Sequence, residues 1–364
     1  MIFADDPYTA IIDSHWPVED LETVDRCPYC GSTDRRVAHQ DVQDWSFYCA
    51  PGKWTYWSCN NCDSLYLNPR PTPQSIGLAY SSYYTHPHKS ESFPHRIVER
   101  LKNEYWSDAL RADFRPRLHL PRGLRWIVQP LKSRLVEPFV LKELTGLPVG
   151  RLMDVGCGGG NMLRLARGLG WVTMGLEVNS AAVQVARSRG LDIVEGSYSR
   201  LLEYEAEFDC IVCSHVLEHV HDPIVMICNL SNALKLGGVL LLSVPNATSQ
   251  VRFHFGNDWR GLEAPRHLAI PSLRRLETIL SSAGFSIRQV LQRPIATAVE
   301  SARIRRRGTR ITRKDIAAER RLAACLVFSS GDRYDFLELV CVKEVNSRIA
   351  PQSITEVGGN EAVH

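Results

Sequence analysis

From residue 150 onward, short apolar runs alternate with stretches whose apolar positions recur every three or four residues. Runs of the first kind suit strands buried on both faces, and the second recurrence suits helices with one covered face. The pattern predicts a strand over 151–155 and a helix over 160–169 closed by Gly170. A second strand, Val172–Leu176, ends in Glu177, and its helix, Ala181–Arg189, stops at Gly190. Leu191–Val194 reads as a third strand and Phe208–Cys213 as a fourth. Asp222-Pro223 opens a helix to Lys235, after which Gly237-Gly238 turns the chain into a fifth strand, Val239–Val244. A helix over Leu273–Ala283, ended by Gly284, and strands over Ser286–Leu291 and Phe336–Lys343 complete the series. Such alternation predicts an α/β fold, a doubly wound parallel sheet with helices on both faces.

Residues 21–70 have a different texture. Cys27-Pro28-Tyr29-Cys30 and Cys59-Asn60-Asn61-Cys62 are two C-x-x-C pairs separated by 28 residues. Between them lie Trp45, Phe47, Tyr48, Trp54, Tyr56 and Trp57, with Pro51-Gly52 as a hairpin turn. Four thiolates in two knuckles suit tetrahedral zinc, and a segment this short needs the metal as its core. Four cysteines leave no open coordination position, so the zinc is structural. Cys49 fits neither knuckle and reads as a packing residue. Cys210 and Cys213 repeat the spacing inside the fourth strand, where residues three apart face opposite ways, so they read as core.

Between these regions, Asn68-Pro69-Arg70-Pro71-Thr72-Pro73 forms a proline-rich exit, followed by Tyr83-Tyr84-Thr85-His86. Arg96, Arg100, Trp106 and Arg111 lie in helix-like stretches broken at Pro116, Pro121, Pro130 and Pro138. The domain reading is therefore a ribbon over 21–70, a helical cap and linker over 71–149, the α/β domain over 150–345, and a flexible tail over 346–364.

Totals narrow the class. The 364 residues are 44% hydrophobic and 23% charged, as in globular proteins. No apolar run approaches the roughly 18 residues of a membrane span. Met1–Asp20 carries Asp5, Asp6, Asp13, Glu19 and Asp20 without Lys or Arg, unlike a secretory signal. A cytoplasmic chain is expected, its eleven cysteines serving as thiols or metal ligands. The net charge of +3 is too small to call for a polyanionic partner.

The densest chemistry lies at Asp154-Val155-Gly156-Cys157-Gly158-Gly159-Gly160, a strand end, a glycine turn and a helix start. Such a turn lets backbone approach a nucleotide closely, and related glycine runs serve NAD and FAD as well. Here the run is G-x-G-G-G after Asp154, and it resembles the first motif of class I S-adenosylmethionine-dependent methyltransferases. Phe208–Val212, Val216-Leu217-Glu218-His219-Val220 and Leu234–Leu240 resemble later motifs of that class. The resemblance implies a seven-stranded Rossmann-like sheet with S-adenosylmethionine at its carboxyl edge. Asp154, Gly156, Cys157, Gly158 and Gly160 would face the methionine and ribose portions. Glu177, with Val178 beside it, would grip the ribose hydroxyls, Ser197 and Tyr198 would flank the adenine, and Ser214 and His215 would lie beside the sulfonium.

More widely, the chain is similar to bacterial methyltransferases with an N-terminal zinc ribbon, which often act on sugars or polysaccharides. The residues concerned are the four cysteines, the Asn68–Pro71 exit, Tyr83–His86 and Trp259-Arg260-Gly261-Leu262-Glu263-Ala264-Pro265-Arg266-His267-Leu268. Deoxysugar C-methyltransferases carry a further domain, whereas only a short tail follows Lys343 here. Ubiquinone-pathway O-methyltransferases carry Glu-x-x-Glu-His after the fourth strand, where a histidine, His215, replaces the first acid.

Transfer of a methyl group to a hydroxyl or carbon needs a base. At helical spacing His215, Glu218 and His219 share a face, making His219 the candidate base and Glu218 its orienter. The segment can also shape the cofactor pocket without moving a proton. His267 is a second catalytic candidate, and Tyr84 and His86 are candidate substrate contacts from the cap.

An insertion over about 300–330 holds Arg303, Arg305, Arg306, Arg307, Arg310, Arg313, Lys314, Arg320 and Arg321. A solvated face, a phosphate site for a nucleotide-sugar or lipid-linked substrate, and RNA contact are its three readings. The expected activity is methyl transfer to a small molecule or glycan, phosphorylated substrates included. The alternatives are RNA methylation through the ribbon and basic insertion, and a non-catalytic S-adenosylmethionine-binding subunit.

Overall fold

The computed structural model describes residue 11 and residues 14–80, 93–109, 114, 116–121, 139–293, 297–307, 313–328 and 334–344. The first strands are β1 (Leu21–Glu22), β2 (Arg35–Val42), β3 (Trp54–Cys59), β4 (Leu65–Leu67) and β5 (Arg70–Pro71). Helices α1 (Phe93–Ala109) and α2 (Phe139–Gly146) follow. The α/β part then runs β6 (Arg151–Val155), α3 (Asn161–Gly168), β7 (Val172–Glu177), α4 (Ser180–Ser188), β8 (Ile193–Glu195) and β9 (Phe208–Ser214). It continues through α5 (Pro223–Ala233), β10 (Leu234–Pro245), α6 (Gln250–Phe255), β11 (Ala269–Ile270), α7 (Leu273–Ser282) and β12 (Phe285–Arg293). Helices α8 (Ala298–Arg306) and α9 (Arg313–Phe328) precede the last strand, β13 (Phe336–Lys343).

Seven strands form the main sheet in the order β12-β13-β10-β9-β6-β7-β8. Five of them, from β10 to β8, are mutually parallel, and β13 lies antiparallel between β10 and β12. Strand order reverses between β6 and β9, which opens a crevice above their carboxyl ends. Burial explains why short apolar runs became central strands: Leu152, Met153, Asp154 and Val155 are all buried. Asn179 caps α4 by accepting the Ala182 N–H, and Pro223 opens α5. Cys210 and Cys213 are fully buried in β9, as core residues.

One element differs from expectation. Gly237-Gly238 is not the turn into β10, because the strand starts at Leu234, which already pairs with Phe208. The register breaks between Leu234 and Val239, and Gly237 takes up that irregularity with φ +78°.

The second sheet has the order β11-β4-β3-β2. Three strands come from the cysteine-rich segment, and the fourth, Ala269–Ile270, comes from beyond the fifth parallel strand. Cys27, Tyr29, Cys59, Cys62 and Tyr66 pack in the same apolar cluster as Met153, Ile211 and Leu242 of the main sheet. Pro51-Gly52 lies in the connection between β2 and β3, which spans residues 43–53. Among the described residues no helix is long and apolar enough to cross a membrane. Tyr83, Tyr84, Thr85, His86, Arg111, Pro130, Pro138 and Arg310 lie outside the described residues.

Candidate functional site

At the carboxyl end of β6 the chain turns through Gly156 and Gly158, with φ +72° and +52°. A Cβ on Gly156 would stand 2.4 Å from Cγ2 of Val216, so that turn admits only glycine. A Cβ on Gly158 would meet nothing within 4 Å, which leaves open space over the turn for a ligand. The acid at the end of β7 closes the same space. Glu177 Oε2 accepts the Gly158 N–H at 2.7 Å, and Oε1 accepts the Asn179 N–H at 2.9 Å. Each oxygen keeps a further lone pair, so the carboxylate can still accept two hydroxyls. Glycine turn, open space and paired acid fit an adenosyl ribose.

The other expected cofactor residues divide into two groups. Asp154 is buried behind the turn, where burial and the charge of Glu177 push its carboxyl up to about 7. The Cys157 side chain points into the core, next to Gly175, leaving only its backbone toward the turn. Gly160 packs against Leu191 at the start of α3. Val178 is exposed beside Glu177. Ser197 caps the 3-10 turn Tyr198–Glu203, and the Tyr198 carbonyl accepts from Asn229. Ser214 ends β9, and His215, with φ +56°, lays its ring edgewise on Phe336 at 4.8 Å.

Beyond His215 a single 3-10 turn, Leu217–His219, gathers the acid–base residues. His215 precedes this turn with φ +56°, and the Glu218 hydrogen bond goes to its Nδ1, at 3.3 Å, and not to His219 as helical spacing suggested. Glu218 is fully buried, and its other oxygen, Oε2, has no hydrogen-bond partner among the described residues. His219 is half-buried, and its Nδ1 lies 3.0 Å from the Arg266 carbonyl and 2.9 Å from the Tyr80 hydroxyl. The carbonyl only accepts, whereas the tyrosine hydroxyl can accept or donate; with the carbonyl as its partner Nδ1 would carry the proton and Nε2 present a lone pair. His267 repeats the arrangement, with Nδ1 donating to the Gly261 carbonyl at 2.7 Å.

The two imidazoles meet edge to face, their centroids 4.6 Å apart. His267 Nε2 lies 3.9 Å from Glu218 Oε1 and 3.6 Å from Glu263 Oε2. Glu218, His219 and His267 thus have donor atoms within 4.8 Å of one another, close enough to share a proton or a cation. Burial pushes His267 down to about 4, so the ring is neutral near pH 7. Burial opposes charge on Glu263, but His267, Arg260 and Arg266 outweigh it and hold the carboxyl at about 2.

Three residues of this site gave no functional signal in the sequence. Tyr80 reaches His219 only through tertiary folding. Glu263 stood inside a quoted run without a role. Arg266, fully buried, forms a paired salt bridge with Asp44 and donates to the Ala79 carbonyl at 2.8 Å.

The four cysteines converge as their spacing required. Cys27 and Cys62 Sγ lie 3.7 Å apart and Cys30 and Cys59 Sγ 3.4 Å apart, with all four sulfurs within 4.8 Å. Three of these thiols are buried and Cys30 is half-buried, none is in a disulfide, and the set fits a tetrahedral zinc ion held by all four. In the basic insertion, Arg303 pairs with Glu300, Arg306 with Asp315, and Arg305 and Arg307 both with Asp258.

Residues 125–290 match the family described as Methyltransferase domain. Among curated proteins, the chain is 34% identical over 155 residues to the ubiquinone biosynthesis O-methyltransferase of Hahella chejuensis, covering 41% of this chain and 59% of that one. It is 35% identical over 109 residues to the ubiquinone biosynthesis O-methyltransferase of Xanthomonas campestris, covering 28% and 46%. The chain thus spans about half to three-fifths of the length of these curated relatives. A solved S-adenosylmethionine-dependent methyltransferase from Mesorhizobium loti is 21% identical, with a TM-score of 0.39, over 56% of this chain and 95% of that chain. With this match lying on the strand–glycine turn–helix unit and the sheet that carries it, the chain contains a class I S-adenosylmethionine-dependent methyltransferase domain.

Proposed function

We propose that the whole chain transfers a methyl group from S-adenosylmethionine to a hydroxyl or an activated carbon of a small molecule, glycan precursors among the acceptors. The observation that carries this is the bond from Gly158 N–H to the Glu177 carboxylate under open space at the carboxyl end of the sheet, together with the gathering of His219 and His267 around Glu218 in the segment after β9. S-adenosylmethionine supplies an electrophilic methyl on a sulfonium when bound. The residues of the chain do the rest. Glu177 and the glycine turn would hold the ribose. The Arg266 carbonyl keeps the proton of His219 on Nδ1, so that Nε2 can take a proton from the acceptor. Glu218 and Glu263 stabilise the positive charge that this transfer places on the histidine pair.

Transfer to oxygen is supported by the names of the curated relatives, both ubiquinone biosynthesis O-methyltransferases. A small acceptor is supported by the basic insertion, in which Arg303, Arg305, Arg306 and Arg307 engage acids of the same fold. We assign structural zinc to Cys27, Cys30, Cys59 and Cys62. Calorimetry with S-adenosylmethionine and S-adenosylhomocysteine tests the cofactor. Mass spectrometry across phenols, sugars and nucleotide-sugars, for the gain of one methylene, then finds the acceptor. Failure to bind either compound, with uptake of a dinucleotide instead, would overturn the proposal.

A further inference from the structure

We propose that Tyr56, in the cysteine-rich ribbon, is a positioning residue for His219, acting through the turn that holds the Arg266 carbonyl. The inference rests on the assignment of His219 as the base.

Tyr56 sits in the middle of β3, fully buried. Its hydroxyl lies within hydrogen-bond distance of two carbonyls of the 259–268 segment, Leu262 O at 2.6 Å and His267 O at 2.7 Å, and its one proton is shared between them. Between these anchors the chain makes a tight turn in which Arg266 N–H donates to Glu263 O at 2.9 Å. The Arg266 carbonyl therefore projects from a turn pinned on both sides by one ribbon hydroxyl. That carbonyl lies 3.0 Å from His219 Nδ1, where it would receive the Nδ1 proton. A histidine base works only when its lone pair sits on the nitrogen facing the substrate, and the partner of the other nitrogen decides which tautomer is present. The ribbon thus reaches the chemistry without touching either reactant, fixing a tautomer from outside the sheet.

Asp44 of the ribbon holds the Arg266 side chain, whereas Tyr56 holds the backbone on either side of the Arg266 carbonyl. Tyr29 is equally buried, between two of the cysteines, but its hydroxyl donates to Ala269 O at 3.2 Å, beyond the turn. Removing that hydroxyl loosens the ribbon where it meets β11 and leaves both anchors of the turn in place. The two tyrosines form a matched pair of probes.

The test uses the full chain with histidine labelled by nitrogen-15 and S-adenosylhomocysteine present, the His219 resonances being assigned from a His219→Gln variant. Wild type is expected to show His219 protonated at Nδ1. Tyr56→Phe is expected to give a mixture of tautomers at His219, whereas Tyr29→Phe keeps the wild-type signature. An unchanged His219 spectrum in folded Tyr56→Phe, or the same change in Tyr29→Phe, overturns the proposal. Should Tyr56→Phe fail to fold, 3-fluorotyrosine at position 56 makes the hydroxyl more acidic without removing it. The His219 signals must then move, and stationary signals overturn the proposal. Turnover of His219→Gln is a separate measurement: full activity there removes the base assignment, whatever the tautomer spectra show.

Discussion

The carboxylate of Glu177 receives the backbone N–H of Gly158 at 2.7 Å, which ties the end of one strand to the glycine turn of its neighbour. The acid therefore both shapes the turn and faces the space above it. Glu177→Ala is expected to weaken S-adenosylmethionine binding by about 10–100-fold, the worth of one or two hydrogen bonds to a charged group. Calorimetric titration reads this directly, and an unchanged affinity would remove Glu177 from the ribose site.

Asp154 gives the chain a pH dependence of predictable sign. Its carboxyl is held at about 7 rather than 3.8, first by burial and then by the charge of Glu177. The folded chain retains a proton that the unfolded chain has already lost, so this group's contribution to stability declines as pH rises between those values. Asp154→Asn abolishes the decline. Relative to wild type, the variant gains on the order of a few kcal/mol between pH 4 and pH 8. Urea unfolding at both pH values provides the check, and an equal difference at the two would contradict it.

Metal analysis is expected to find zinc in equimolar amount with the chain, and Cys30→Ser to lower it. Because the cysteines pack in the apolar cluster of the main sheet, a strong chelator should shift one cooperative melting transition rather than create a separate early one. Two well-resolved transitions would show a ribbon that is thermally independent.

His219→Gln is expected to reduce turnover by about 10²–10⁴-fold, the usual worth of a positioned base. Binding of S-adenosylhomocysteine should stay at the wild-type level, since the proposed role of His219 is toward the acceptor. A loss of cofactor affinity instead would move His219 into the cofactor pocket.

Asp44 and Arg266 form a fully buried ion pair. Asp44→Ala leaves a guanidinium without its main counter-charge in the interior, at a cost of about 3–5 kcal/mol. Chemical denaturation measures it, and a loss below about 1 kcal/mol would class the pair with exposed salt bridges.

The central strands were legible because they are buried on both faces and so consist of continuous apolar runs, while β13 alternates buried and half-buried positions. Arg151–Val155 and Phe336–Lys343 coincide with the expected limits. The start of β10 was not, since Leu234 pairs with Phe208 across a glycine irregularity that looks like a turn when read alone. The cofactor turn and the cysteine knuckles were visible because their chemistry depends on local spacing. The acid–base cluster was only half visible. Glu218 and His219 stand in a short motif, but Tyr80, the Arg266 carbonyl and the pair His267–Glu263 arrive from distant segments. Tyr56 had every mark of an ordinary aromatic core residue, and only the position of its hydroxyl distinguishes it.

Strand β11 contributes two residues to the ribbon sheet, yet it lies some two hundred positions downstream of its neighbour β4. During synthesis the amino-terminal module must wait, its edge unpaired, until Ile270 has left the ribosome. Excised at residue 70, it would expose that edge and the tyrosines that grip the later segment. It is better regarded as an early instalment of the catalytic body than as a portable finger that could be grafted elsewhere.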